Sequence, residues 1–344
     1  MKNKKIKSVL SVFLLVAFLF PSGTNAATFN DVPETHKHYV GVEYLKGAGV
    51  IGGYDDGTFK PDNTINRAEV LKIILQGSSI ESPDLTGESE FSDVQKDAWF
   101  AKFIMKAKEI GIVKGNPDGS FAPGRSVNKV EFLKMLLIAN DVDVSSYASS
   151  DKEFLDVDKG AWYFSYLNFA QETGLIRFNG AANLEPSKEL TRGEVADIMY
   201  LLIALKKQNN SKFLLEQAEL QVASAMNLLN VKMYDDAYNA ADIAFDFSNQ
   251  ALNVDKNEAN TPTIESAIKL AESIKQLIDS YRMIVQQSNC EGAIESANNT
   301  KTTATQAWEK NHDVQKVARL IKDQADSLIA QCEEYLANNE TTTE

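Results

Sequence analysis

Three cations stand at equivalent places in the chain: Arg67, Lys129 and Arg192, spaced 62 and 63 residues apart. Each sits in a short tag: Ile65-Asn66-Arg67-Ala68-Glu69, Val127-Asn128-Lys129-Val130-Glu131 and Leu190-Thr191-Arg192-Gly193-Glu194. Cations at a recurring position can hold an anion, here against the charge of the whole chain. The formal net charge is −13, and it becomes −17 once the four lysines Lys2, Lys4, Lys5 and Lys7 of an N-terminal leader are removed. That balance argues against nucleic acid and anionic membrane surfaces as partners. Trp99 and Trp162 recur at the same interval.

The tags close three copies of one segment, which begin at Phe29-Asn30-Asp31-Val32, Phe91-Ser92-Asp93-Val94 and Phe154-Leu155-Asp156-Val157. A unit this short cannot bury its own apolar face, so it must pack on its neighbours. Within each copy an amphipathic stretch follows the Asp-Val turn, as in Trp99–Ala107, and ends at Gly49, Gly111 or Gly174. Glycine is expected just past a helix end, where φ turns positive. Tight loops follow, Gly53–Phe59 and Gly115–Phe121, each with an Asp-Gly turn signal. Asn66, Asn128 and Thr191 then stand where an N-cap belongs, with Glu69, Glu131 and Glu194 completing capping boxes. Apolar helices come next. The unit is helix, loop, helix, and the fold class is all-α.

Residues 1–26 read as a secretory signal peptide: lysines, an apolar run from Val9 to Phe20, then Pro21-Ser22-Gly23 and cleavage after Ala26 or Ala27. The apolar run is short of the roughly 20 residues of a membrane span, and no transmembrane segment is expected in the mature chain. The organisation reads as repeats over residues 27–88, 89–151 and 152–207, then a helical region over 208–344.

The repeats resemble the S-layer homology family. The resemblance rests on the Phe-x-Asp-Val starts, Trp99 and Trp162, the Gly-x-Pro-Asp-Gly-x-Phe loop of the second copy and the Arg-Ala-Glu of the first. It implies a pseudo-threefold, three-lobed helical unit that anchors exported proteins non-covalently to acidic, often pyruvylated, cell-wall polysaccharide. It also implies carbohydrate-binding roles for Arg67, Lys129, Arg192, Trp99 and Trp162, and for the loop residues Gly53, Asp56, Gly115 and Asp118. The chemistry is consistent: arginine offers a planar fork for a carboxylate, which lysine replaces with a point charge.

No copy is complete. The first has Lys37 where the others have tryptophan. The second has Lys129 for arginine. The third lacks the Asp-Gly loop and reads Phe178–Asn183 instead. Unequal grooves are therefore expected, with at most two strong ones. The tryptophans have an alternative reading as core anchors, and the arginines as partners of the capping glutamates. His36 and His38 fall short of the ligand set of a metal site, and Asp55-Asp56 and Asp118 lack a calcium-loop spacing. No metal or cofactor is expected.

Beyond Asn209 glycine and proline nearly vanish and apolar residues take heptad-like spacing. The stripes begin at Leu215, Tyr234, Ile264 and Val314, and imply an antiparallel helical bundle. Cys290 and Cys332 are the only cysteines, and in an exported chain an even pair reads as a disulfide. One long helix from about Asn299 to Leu336, antiparallel to the one before, would hold them ~45 Å apart. A break near His312 brings them level, which predicts five helices. Catalytic constellations are missing from this region. The expectation is a non-enzymatic exported surface protein whose bundle is a spacer or takes a protein partner. The alternatives are a wall-anchored enzyme, or repeats that act as a protein-binding scaffold.

Overall fold

The computed structural model describes residues 27–149, 153–177, 183–255 and 260–340. The leader and residues 178–182 of the third repeat's loop lie outside the described residues. Eleven α-helices and three isolated β-bridges occur among the described residues, so the protein is all-α. Two compact units are present: described residues up to Leu205 form the first, apart from Glu34–Lys37, which group with the second, and the second begins at Lys206.

The first unit holds three helix pairs: α1 (Tyr39–Gly47) with α2 (Arg67–Gly77), α3 (Ala101–Glu109) with α4 (Lys129–Ala139), and α5 (Phe164–Glu172) with α6 (Arg192–Lys206). The first helix of each pair starts two residues later than the amphipathic pattern suggests. Trp99 and Trp162 thus sit in the turn that enters the helix rather than inside it. Gly49, Gly111 and Gly174 follow these helices at φ 71°, 79° and 74°, a conformation that only glycine adopts without strain.

The second helix of each pair is capped as its tag requires. The Asn66 side chain accepts from Glu69 N–H while Glu69 accepts from Asn66 N–H, and Asn128 with Glu131 repeats the exchange. Thr191 and Glu194 complete the third box. Beyond the caps, the copies share backbone hydrogen bonds in a ring. Ile65 N–H donates to Leu190 C=O, Leu190 N–H to Val127 C=O, and Val127 N–H to Ile65 C=O, at 3.1, 2.9 and 3.2 Å. The first N–H groups of each tag helix, which have no partner in their own helix, donate to carbonyls of the next copy. Arg67 and Ala68 use Arg125 and Pro123, Lys129 and Val130 use Lys188 and Pro186, and Arg192 and Gly193 use Asn63 and Pro61.

The aspartate of each Phe-x-Asp-Val start holds the far end of the loop. Asp31 accepts from Phe59 and Lys60 N–H, Asp93 from Phe121 and Ala122, and Asp156 from Leu184 and Glu185, all between 2.7 and 2.9 Å. The second donor of each pair has positive φ: Lys60 59°, Ala122 59° and Glu185 50°. Two charge-assisted bonds therefore offset a left-handed backbone at a residue with a side chain.

The second unit is a run of five helices: α7 (Ser211–Asn230), α8 (Tyr234–Val254), α9 (Thr261–Gln287), α10 (Cys290–Lys310) and α11 (Gln315–Glu340). The expected break is present: α10 ends at Asn311, whose side chain caps a 3₁₀ turn over His312–Val314 before α11 begins. Each helix packs on the next, and α9 also touches α7 and α11, which places it at the centre. Pro262 lies in the first turn of α9.

In α7 the expected Ala218, Val222, Ala225 and Leu229 are buried, and only the first position differs, Leu214 being buried in place of Leu215. In α8 the core is an alanine line, Ala237, Ala240, Ala241, Ala244 and Ala251, flanked by half-buried Tyr234, Tyr238 and Phe245. Small residues let neighbouring backbones approach, and the aromatic rings then cover the edge of the contact. Buried Ser248, Ser273, Ser280, Thr300 and Thr303 donate to carbonyls three or four residues back in their own helices. Among the described residues no helix is long and apolar enough to cross a membrane.

The Asp93 clamp generates a prediction. Asp93→Ala leaves the Phe121 and Ala122 N–H groups without acceptors and should cost roughly 3 kcal/mol. Urea unfolding of the variant measures this, and a loss below about 1 kcal/mol would show that the clamp does not hold the loop.

Candidate functional site

The three tag cations reach into the following copy. Arg67 Nε donates to Phe121 C=O at 3.1 Å and its guanidinium lies 4.3 Å from the Phe121 ring centre. Lys129 Nζ donates to Leu184 C=O at 2.6 Å. Arg192 Nε donates to Phe59 C=O at 2.8 Å, its guanidinium 4.6 Å from the Phe59 ring and 5.0 Å from that of Tyr54. Each cation thus ties its helix to the loop of the next repeat.

Their charges are compensated unequally. Arg192 is buried, with Nη1 3.6 Å from Glu69 of the first copy's capping box. The corresponding glutamates of the other copies are taken: Glu131 by Arg125 at 2.7 Å and Glu194 by Lys188 at 2.7 Å. The position matching Arg125 and Lys188 in the first copy is Asn63, which leaves Glu69 for Arg192. Lys129 lies 3.8 Å from Glu185. Arg67 makes no ion pair among the described residues. Burial, with Arg125 close by, lowers its pKa, while Glu131 and Asp93 act in the opposite direction. Burial also lowers the pKa of Lys129, against Glu185.

The tryptophans are not core anchors. Trp99 is 52% exposed and Trp162 56%. Each meets the following aromatic edge-on, Phe100 at 5.4 Å and Tyr163 at 5.4 Å, which holds the ring while about half of the residue stays exposed. Trp99 lines an open groove of 640 Å³ together with Lys72, Gln76 and Asp84 of the first copy, and Lys96 and Phe103 of the second. Lys72 Nζ stands 5.6 Å from the Trp99 ring centre, and Lys134 Nζ 4.8 Å from that of Trp162. Neither lysine makes an ion pair among the described residues, so each exposed indole has a cation over it that no carboxylate pairs.

The third interface is built differently. The position of Lys72 and Lys134 is filled by Asp197, which reverses the charge. Buried His38 at the entrance of α1 bonds Asp197 through Nδ1 at 2.5 Å. Gly193 and Gly41 permit this seam: a Cβ on the first would collide with the His38 ring, and one on the second with Asp197.

The loop residues serve the loops. Asp56 accepts from Thr58 N–H and Oγ1 at 3.0 and 2.5 Å, and Asp118 from Ser120 N–H and Oγ at 2.9 and 2.6 Å. These bonds lower the pKa of both carboxyls. A Cβ on Gly53 or Gly115 would strike the ring of Phe29 or Phe91. The structure therefore gathers Lys72 with Trp99 and Lys134 with Trp162, sets Gly53 and Gly115 against phenylalanine rings, and leaves Asp56 and Asp118 exposed while they bond within their own turns. Sequence reasoning passed over the two lysines. Their signal was a single cation five residues after each tag cation, inside an otherwise apolar helix.

The first unit is thus a cyclic triplet of helix–loop–helix repeats joined through backbone hydrogen bonds. Residues 28–71, 90–133 and 153–196 match the S-layer homology domain, so the chain carries three such domains in tandem. It is 32% identical over 200 residues to the surface-layer 125 kDa protein of Lysinibacillus sphaericus, covering 57% of this chain and 16% of that protein. It is 25% identical over 231 residues to the S-layer protein sap of Bacillus anthracis, covering 67% and 27%. An exoglucanase, XynX of Acetivibrio thermocellus, is 30% identical over 202 residues, covering 55% and 17%. The chain thus spans less than a third of the length of each of these relatives. The domains and the surface-layer relatives mark a secreted protein of the cell surface or cell wall.

The contrast between buried cation and exposed indole is testable. Arg192→Ala should cost roughly 3 kcal/mol, because it strands buried carbonyls and the Glu69 carboxylate. Trp99→Ala should cost about 1 kcal/mol or less. Guanidinium unfolding of both variants should keep that order, and a larger loss at Trp99 would return the indole to the core.

Proposed function

We propose that the repeats anchor the chain non-covalently to an acidic cell-wall polysaccharide through two grooves, Lys72 with Trp99 and Lys134 with Trp162. The observation that carries this reading is the pairing of an exposed tryptophan with an ion-pair-free lysine at two interfaces and its replacement by His38 and Asp197 at the third. The apolar face of a sugar ring can lie on indole, and a carboxylate, such as that of a pyruvate ketal, is drawn to the neighbouring ammonium. Arg67 adds a second cation at the first interface. Arg192 and Lys129 act as positioning residues, holding the loops against the tag helices. At the third interface Asp197 would repel an acidic ligand.

The helical bundle is displayed from the anchor as a spacer or as the docking module for a protein partner. The reading is non-enzymatic. The surface-layer proteins among the relatives favour it, and the exoglucanase match covers only a small part of that enzyme.

Purified wall polymer, with and without removal of its ketal groups, tests the proposal by titration calorimetry. Two sites per chain are expected. Lys72→Ala with Trp99→Ala should remove one and Lys134→Ala with Trp162→Ala the other, each weakened by roughly tenfold or more. Asp197→Ala should leave binding unchanged. Retention of full binding in the quadruple variant, or three equal sites, would overturn the groove assignment. Binding indifferent to ketal removal would overturn carboxylate recognition alone.

A further inference from the structure

The cysteine pair of the bundle lies outside the anchoring reading. The α10–α11 hairpin is tied at one end by the turn over His312–Val314. At its other end Cys290 is the first residue of α10, and Cys332 lies level with it on α11. Both are buried in the bundle core, 6% and 1% exposed. The structure holds them as two free thiols, and both belong to one buried core cluster of the bundle. The local backbone is held in place, because Asn289 caps α10 by accepting from Gly292 N–H at 3.0 Å. Ser288 before it ends α9 in the left-handed conformation at φ 54°. With no other cysteine in the chain, no alternative intramolecular pairing competes.

We propose that Cys290 and Cys332 are joined by a disulfide in the secreted protein, closing the α10–α11 hairpin at the end opposite its turn. The sulfur–sulfur bond forms as each thiol gives up one proton and one electron. The two electrons pass to an exogenous disulfide, of a small molecule or an extracytoplasmic oxidoreductase, which is reduced to two thiols. Burial raises the pKa of the Cys332 thiol, so little thiolate is present in the closed bundle. The exchange therefore belongs to the folding chain, before the core closes. Once formed, the bond is shielded from soluble reductants. Its effect is to restrict the unfolded chain over the loop from residue 290 to 332, and so to keep the last two helices of the bundle from opening.

The test uses the full secreted protein, collected outside the producing cell and unfolded in guanidinium with an alkylating reagent. Intact mass should show no alkyl group without reductant and two with it. Two alkyl groups without reductant, or a disulfide-linked dimer, would overturn the proposal. Native protein treated with reductant should retain the bond until denaturant is added. Melting should fall by about 10 °C in the reduced protein and in Cys290→Ala with Cys332→Ala. An unchanged melting temperature would overturn the stabilising role.

Discussion

The first unit depends on a closed exchange of backbone hydrogen bonds. Ile65, Leu190 and Val127 donate to one another in a ring, and each tag helix hands its first N–H groups to the next copy. A buried polar group left unpaired costs about as much as a typical hydrogen bond contributes. No copy can therefore leave the ring without stranding donors in its neighbour. The aspartate clamps and the tag cations reinforce the same junctions, since Asp93 and Arg67 both end on the residues around Phe121. The ring makes three copies one object and fixes the interfaces at which the grooves lie.

Within that frame the interfaces have diverged through a few side chains. Replacement of lysine by Asp197, with His38 against it, turns a groove with an available cation into a paired seam. Asn63, where the other copies carry Arg125 and Lys188, frees Glu69 to meet Arg192. Arg67 makes no ion pair among the described residues, with Arg125 acting on its charge in one direction and Glu131 and Asp93 in the other. The ring tolerates these changes because its hydrogen bonds are made by backbone and are indifferent to side-chain charge. Structural equivalence and functional inequality are thereby compatible.

The bundle follows another logic. Its helices hold together through small residues that allow close backbone approach, with hydroxyls satisfied inside their own helices. Tyr234 stacks on Tyr281 at 5.6 Å, and Arg282 covers Tyr238 at 4.5 Å, so the larger side chains seal the edges.

Much of the architecture was legible in residue types. The capping boxes, the positive-φ glycines after α1, α3 and α5, the all-α class and the break near His312 are local matters. They depend on backbone preference and on side chains a few residues apart, which chain order exposes directly. The destination of a side chain across 54 to 133 residues is not local. That Arg67 would end on Phe121 and Arg192 on Phe59, that Lys72 and not Arg67 would stand beside Trp99, and that the core of α8 would be alanine rather than tyrosine depended on which copy each helix meets. By itself the sequence determined the repeat, its helices and its caps. Only the tertiary structure decided which cations are spent on packing and which remain facing solvent, because burial and pairing are set by neighbours that the ring brings together.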